Sequence, residues 1–432
     1  MKPEIKQRIE QIKNGEVPEG YKKTKIGITP IDWHNTCFAE LFVTKSEYTE
    51  DLEKYPLYSL TIEDGVTPKS ERYERSHLVK KENAYKVVEP NDFAYNPMNV
   101  RFGAVARHKG KTSVCVSGYY DVFTTKEKTD LKFMDDFLVS NIMITYYNKV
   151  STGSLVEKQR VHYSEFINFN IPIPSKIERQ KIAEILSVQD KIIELQQKMI
   201  DGYKRLKKGM LQKMFPKNGE NIPEIRFPEF TAPWEQRKLE SLCEVFTDGD
   251  WIEAKDQSDS GIRLVQTGNV GTSEYLDKEN NRKWISEDTF ERLHCEEIYE
   301  GDILISRLPE PAGRACIMPA LGTRMITAVD CTIVRISVEY DNKYLVQYLS
   351  TPMYFNVVNS FLGGGTRQRI SRGNLSGIHI PIPPTLAEQK KIGEYFEGID
   401  NLITLHQRKL DEYKTYKKSL MQLLLTGIVR CK

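Results

Sequence analysis

The sequence has no apolar run of the roughly 18 residues that would span a bilayer, no paired cysteines and almost no net charge. Each absence removes a class of protein. Without a spanning run, and with a charged N-terminal stretch (Met1 to Gly15) that no apolar core follows, the expected setting is the cytoplasm. The seven cysteines, Cys37, Cys115, Cys243, Cys295, Cys316, Cys331 and Cys431, form no C-x-x-C pair and have no H-x-x-x-H partner, which excludes a disulfide scaffold and a zinc module. The adjacent His294 and Cys295 read as a surface or core pair, and no metal is expected. A formal charge of +2 over 432 residues means that any nucleic-acid surface must come from local clustering of Lys and Arg.

Complete catalytic motifs are also missing. His108-Lys109-Gly110-Lys111-Thr112 ends like a phosphate loop, but Val105 occupies the place of its first glycine. Asn96-Pro97-Met98-Asn99 approaches the Asn-Pro-Pro-aromatic tetrad of amino-methyltransferases and lacks both the second proline and the aromatic. Gly363-Gly364-Gly365-Thr366 has no strand-to-helix G-x-G-x-x-G frame around it. No residue is assigned a catalytic role.

What the sequence does contain is itself, twice. A shift of 209 lays "KQRVHYSEFINFNIPIP" (158–174) on "RQRISRGNLSGIHIPIP" (367–383). One inserted residue then makes the shift 210, which pairs Glu178 with Glu388, Ile182 with Ile392, Asp190 with Asp400 and Lys207-Lys208 with Lys417-Lys418. Upstream, Asp92 aligns with Asp302 and Gly103 with Gly313, and Trp33 precedes Leu41 by the interval that separates Trp234 from Leu242. Each copy has a divergent front of mixed strands and turns and a similar helical back. The fold expected is α+β, two globular domains separated by two long helices, with internal pseudo-twofold duplication.

The backs carry sustained heptads. Leu186, Ile193, Ile200 and Met214 lie at multiples of seven in the first, and Phe396, Ile403, Leu410 and Leu424 in the second. A neighbouring seam runs Ile185, Ile192, Met199, Leu206, answered by Tyr395, Leu402, Lys409, Tyr416. Such stripes need a partner helix, and the natural partner is the other copy, as an antiparallel coiled coil. Forty residues of helix would be about 60 Å long, enough for a spacer. Ile-Pro-Ile-Pro before each helix is expected to hold the chain extended, since proline fixes its own φ and biases the residue before it away from helix.

Basic residues recur at one place in both copies: Lys158, Gln159 and Arg160 in the first, Arg367, Gln368, Arg369 and Arg372 in the second. The Arg and Gln forks match guanine and adenine edges, and Arg and Lys neutralise phosphates. Arg101, Arg107, Lys109, Arg307 and Arg314, near the aligned Asp-to-Gly stretches, complete the set of candidate DNA contacts.

Two variable domains, each followed by Ile-Pro-Ile-Pro and a helix of the type "AEQKKIGEYF" (387–396), resemble the specificity subunit of type I restriction-modification enzymes. "VPEGYKKTKIGITPIDW" (17–33), "DFAYNPMNVRFGAV" (92–105), "VSGYYDVF" (116–123), "GIRLVQTGNV" (261–270) and "GDILISR" (301–307) are similar to stretches of that family. The resemblance implies target-recognition domains at 1–170 and 218–379, a first spacer helix with connector at 171–217 and a second spacer helix at 380–432. It implies double-stranded DNA with a bipartite, asymmetric target, the helix pair setting the unread gap. It further implies two modification subunits that bind S-adenosylmethionine, and restriction subunits that use ATP and Mg, so that no cofactor belongs to this chain. Two other readings stand beside it: a coiled-coil scaffold that does not touch DNA, and a self-sufficient adenine methyltransferase.

Overall fold

The computed structural model describes residues 2–69, 84–153, 159–217, 219–363 and 368–431. It divides into two compact units, Met1–Gln196 with Lys409–Lys432, and Gln197–Arg408. The division falls inside both long helices, so each unit holds one front domain and part of each helix.

The duplication is visible in the strands. In the first unit, β1 (Phe42–Lys45), β2 (Phe93–Tyr95), β3 (Val105–Arg107) and β4 (Asp121–Thr125) form an antiparallel sheet in the order β3-β2-β4-β1. In the second unit, β5 (Cys243–Asp248), β6 (Ile303–Ser306), β7 (Ala315–Ile317) and β8 (Cys331–Ile336) form one in the order β7-β6-β8-β5. The two orders are the same. β2 and β6 are buried at every residue because each is central in its sheet and covered on both faces. Alternate side chains therefore enter different cores: Phe93 and Tyr95 one and Ala94 another, Ile303 and Ile305 one and Leu304 another.

The aligned Asp-to-Gly stretches are turns that launch and close these strands. Asn91 and Gly301 both have positive φ, and the following Asp92 and Asp302 accept the backbone N–H of Glu89 and Tyr299 at 3.0 and 2.9 Å. Gly313 has φ 85°, and a Cβ there would lie 2.9 Å from the Tyr354 hydroxyl, so the position admits only glycine.

Each Ile-Pro-Ile stretch is a strand. Asn170–Ile173 pairs antiparallel with His34–Cys37, and His379–Ile382 with Glu235–Lys238. Proline cannot donate to a ladder, and both sheets have only two strands. Ser175 and Thr385 then cap the helices, their hydroxyls accepting the N–H of Glu178 and Glu388 at 3.3 Å. The long helices are α1 (Lys176–Lys213) and α2 (Leu386–Leu424), whose starts differ by the shift of 210.

Each junction has its own buried cluster, built on one plan. Glu178 accepts the Trp33 indole N–H at 3.2 Å and is clamped by Arg430, from the segment after α2. Glu388 accepts the Trp234 indole N–H at 3.2 Å and is clamped by Arg226, from the segment after α1. Each carboxylate begins one helix and is neutralised by an arginine that follows the other.

The helices run antiparallel within each unit. In the first, Leu186 and Leu424 share a core, Asp190 pairs with Lys417 at 2.6 Å and Gln189 donates to the Tyr413 carbonyl. In the second, Phe215 stacks on Phe396, Lys207 pairs with Asp400 at 2.7 Å and Tyr203 stacks on His406. Of the heptad residues, Leu186, Ile200, Met214, Phe396, Leu410 and Leu424 are buried, and Ile193 and Ile403 are half-buried.

The neighbouring seam departs from the expectation that the other copy covers it. Ile185, Ile192, Met199 and Leu206 are 36–46% exposed. A single partner helix covers one stripe, and this one lies outside the contact.

Candidate nucleic-acid interface

The candidate surface of the second unit is one end of its sheet. Antiparallel pairing sets the end of β5 (Asp248), the end of β6 (Ser306) and the start of β8 (Cys331) side by side. The loop after β6 is tied to that before β8 by the Arg307 N–H on the Asp330 carbonyl at 2.9 Å. The N–H of Ile370 on the Arg307 carbonyl brings residues 368–372 to the same end, where Arg369 forms a backbone bridge with Gly363.

Arg369 and Arg372 lie exposed there, 3.6 Å from Asp330 and 3.9 Å from Asp248. Those distances orient the guanidinium groups without consuming their donors. Gln368 is exposed beside them, and Arg367 lies outside the described residues.

Arg307 and Arg314 reach the same end but turn inward. Arg307 is buried, with one Nη on the Val329 carbonyl at 2.6 Å and on Asp248 at 3.3 Å. Arg314 gives its Nε to the carbonyl of Val270, one Nη to those of Leu308 and Pro311 and the other to that of Thr267, which ties three loop segments together. Burial lowers its pKa from the ordinary arginine value. Arg314 spends four donors on backbone and so builds the surface, while Arg307 is kept from it by burial against Val329 and Asp248.

In the first unit the corresponding end carries the loop after β2. The N–H of Val161 on the Pro97 carbonyl docks residues 159–161 against it, as Ile370 docks on Arg307 in the second unit. Arg101 donates to the Gln159 side chain at 3.2 Å and lies over the ring of the exposed Phe102 at 4.3 Å. Arg160 bridges Thr152 through its backbone. Lys158 lies outside the described residues. Phe102 thus places an exposed aromatic beside Arg101, a feature that a pattern of charged residues does not reveal.

Arg107 and Lys109 belong elsewhere. Arg107 pairs with Phe93 at the start of β2, the opposite end of the sheet, where it and Lys109 both reach Asp135 at 3.1 Å. Arg107 also donates to Asn91 at 2.7 Å and is buried. The arginine steadies the turn before β2.

The motif fragments act as turns. Asn96 accepts the Met98 N–H at 3.1 Å in an Asx turn, and the His108 ring meets the Thr112 carbonyl at 2.8 Å. Among the described residues no three His, Cys, Asp or Glu converge as metal ligands, and no helix is long and apolar enough to cross a membrane.

Comparison with known proteins gives a consistent result. The type I restriction enzyme MjaVIII specificity subunit of Methanocaldococcus jannaschii is 26% identical over 399 residues, covering 89% of this chain and 88% of that one. A second protein of that organism, MjaX, named to the same class, is 25% identical over 437 residues, covering 96% and 97%. The type I restriction-modification S subunit from M. genitalium shares the fold at TM-score 0.52 and 14% identity, over 91% of this chain and 96% of that one. A chain from a structural study of type I R-M complex assembly shares it at 0.55 and 16%, over 96% and 100%. The model of the type I restriction modification DNA specificity domain matches twice, over residues 42–202 and 232–415, and the chain belongs to that family.

Proposed function

We propose that this specificity subunit reads a bipartite, asymmetric double-stranded DNA target, one half with each front domain, while the helix pair sets the gap between the halves. The observation that carries the reading is the repetition of one sheet order with an Arg- and Gln-bearing loop docked at the same end in each unit. A scaffold that does not touch DNA has no need of a second copy of that loop.

The chain does no chemistry of its own in this reading, and a self-sufficient methyltransferase is not favoured, since the tetrad-like loop at Asn96 is a turn. Two modification subunits supply S-adenosylmethionine and adenine methylation, and restriction subunits supply ATP- and Mg-dependent cleavage, in the cytoplasm. The exposed seam of Ile185, Ile192, Met199 and Leu206 is the apolar stripe on which the modification subunits dock.

Exchanging the second front domain for that of another family member, and mapping methylated adenines in cellular DNA, tests the division of labour. One half of the methylated motif changes and the other is retained. A change in both halves would overturn it.

A further inference from the structure

Trp251 is 70% exposed, a large apolar side chain left in water next to the end of β5. Its neighbours are fixed. At Gly249 the chain passes so close to the strand Met325–Thr327 that a Cβ would lie 2.4 Å from the Thr327 carbonyl. Asp250 donates its N–H to Thr327 and accepts that of Val329, both at 2.9 Å, and its carboxylate accepts the Glu296 N–H. On the other side Ile252 packs against the core of Ile262, Leu264, Ile285 and Ile326. The exposed indole thus follows a fixed backbone segment and lies three residues along the chain from Asp248, the carboxylate 3.9 Å from Arg372.

We propose that Trp251 is a DNA contact of the second front domain, packing its indole on base edges and sugars of the second half-site. The inference rests on the DNA-reading function proposed above. Glu253 accepts the indole N–H at 3.4 Å, and its carboxylate would repel a phosphate, so the surface around Trp251 favours bases and sugars over the backbone. An aromatic three residues from the carboxylate that Arg372 faces supplies a nonpolar contact that an arginine cannot.

The test uses the chain assembled with its cognate modification subunits and a fluorescent duplex bearing the target mapped from methylated adenines. W251A weakens binding about tenfold, the scale of returning one large apolar side chain to water, and leaves the dependence of affinity on salt unchanged because no phosphate contact is lost. W251F retains most of the affinity. Binding by W251A within twofold of wild type, a W251F loss equal to that of W251A, or a reduced salt slope would overturn the inference. A wild-type complex without sequence preference would instead overturn the DNA-reading function, and this inference with it.

Discussion

Arg430 grips Glu178 with two charge-assisted hydrogen bonds, Nε at 2.8 Å and Nη2 at 2.9 Å, and so ties the segment after α2 to the first turn of α1. The same guanidinium reaches Asp32 at 2.8 and 2.9 Å, next to the Trp33 whose indole completes the cluster. Burial alone would raise the Glu178 pKa, but Arg430, the Cys431 N–H and the Trp33 indole together hold it below the ordinary glutamate value.

Removing this clamp should therefore be costly. R430A leaves a buried carboxylate facing only neutral donors and is expected to destabilise the first unit by about 2–4 kcal/mol. The depressed pKa also fixes a sign: the stabilisation is present above the glutamate pKa of the unfolded chain and is lost as pH falls through the lower folded value. Thermal melts of wild type and R430A from pH 7 to pH 3 check both, and their midpoints should converge toward the acid end.

The two copies differ in how they surround one partly buried lysine. Lys417 in the first unit lies between Asp190 and Asp136, at 2.6 and 3.0 Å, whereas Lys207 in the second faces Asp400, which accepts from the neutral Gln347. One lysine cannot neutralise two carboxylates, and burial raises the Asp136 pKa in spite of Lys417. A raised folded pKa means that ionised Asp136 costs stability, which the wild type recovers as pH falls through that value. Asp136→Asn, which keeps the Lys417–Asp190 pair, is expected to raise the melting midpoint at pH 8. The advantage should shrink as pH is lowered.

Polar substitution of the exposed seam separates folding from assembly. Ile192→Ser with Met199→Ser removes apolar surface that already faces solvent, so stability should change by less than about 1 kcal/mol. Assembly with the modification subunits should weaken by tenfold or more, measured by light scattering of mixtures at defined concentrations. Unimpaired assembly would place the docking surface elsewhere.

The basic residues sort by what their donors already hold. R369A and R372A should each weaken DNA binding and lower the salt slope by about 1 if the contact is to phosphate. R314A should leave that slope alone and lower stability, since it frees four backbone carbonyls. Salt titrations alongside denaturant unfolding distinguish the two groups.

Much of this organisation was legible in the residues. The 209-then-210 shift placed the strand and helix starts of the second copy, because proline and the capping hydroxyls Ser175 and Thr385 act locally. The buried faces of the helices were legible from their heptads, but which side a partner covers depends on tertiary packing, and Ile185 and Leu206 emerged exposed. Charge was the least informative signal. Arg314 and Arg372 look alike in sequence, and only the carbonyls around the first and the open space around the second tell them apart. No local pattern marks Arg430, because its partner, Glu178, is 252 residues away.

The most direct test of the account is a methylated-adenine map of cellular DNA from strains carrying the wild-type chain or one with four residues inserted in each long helix. Four residues add about 6 Å of helix, comparable to one or two base pairs. The account predicts a two-part motif whose halves are retained while the gap between them lengthens. A continuous motif, or a gap that stays the same while methylation persists, would contradict it.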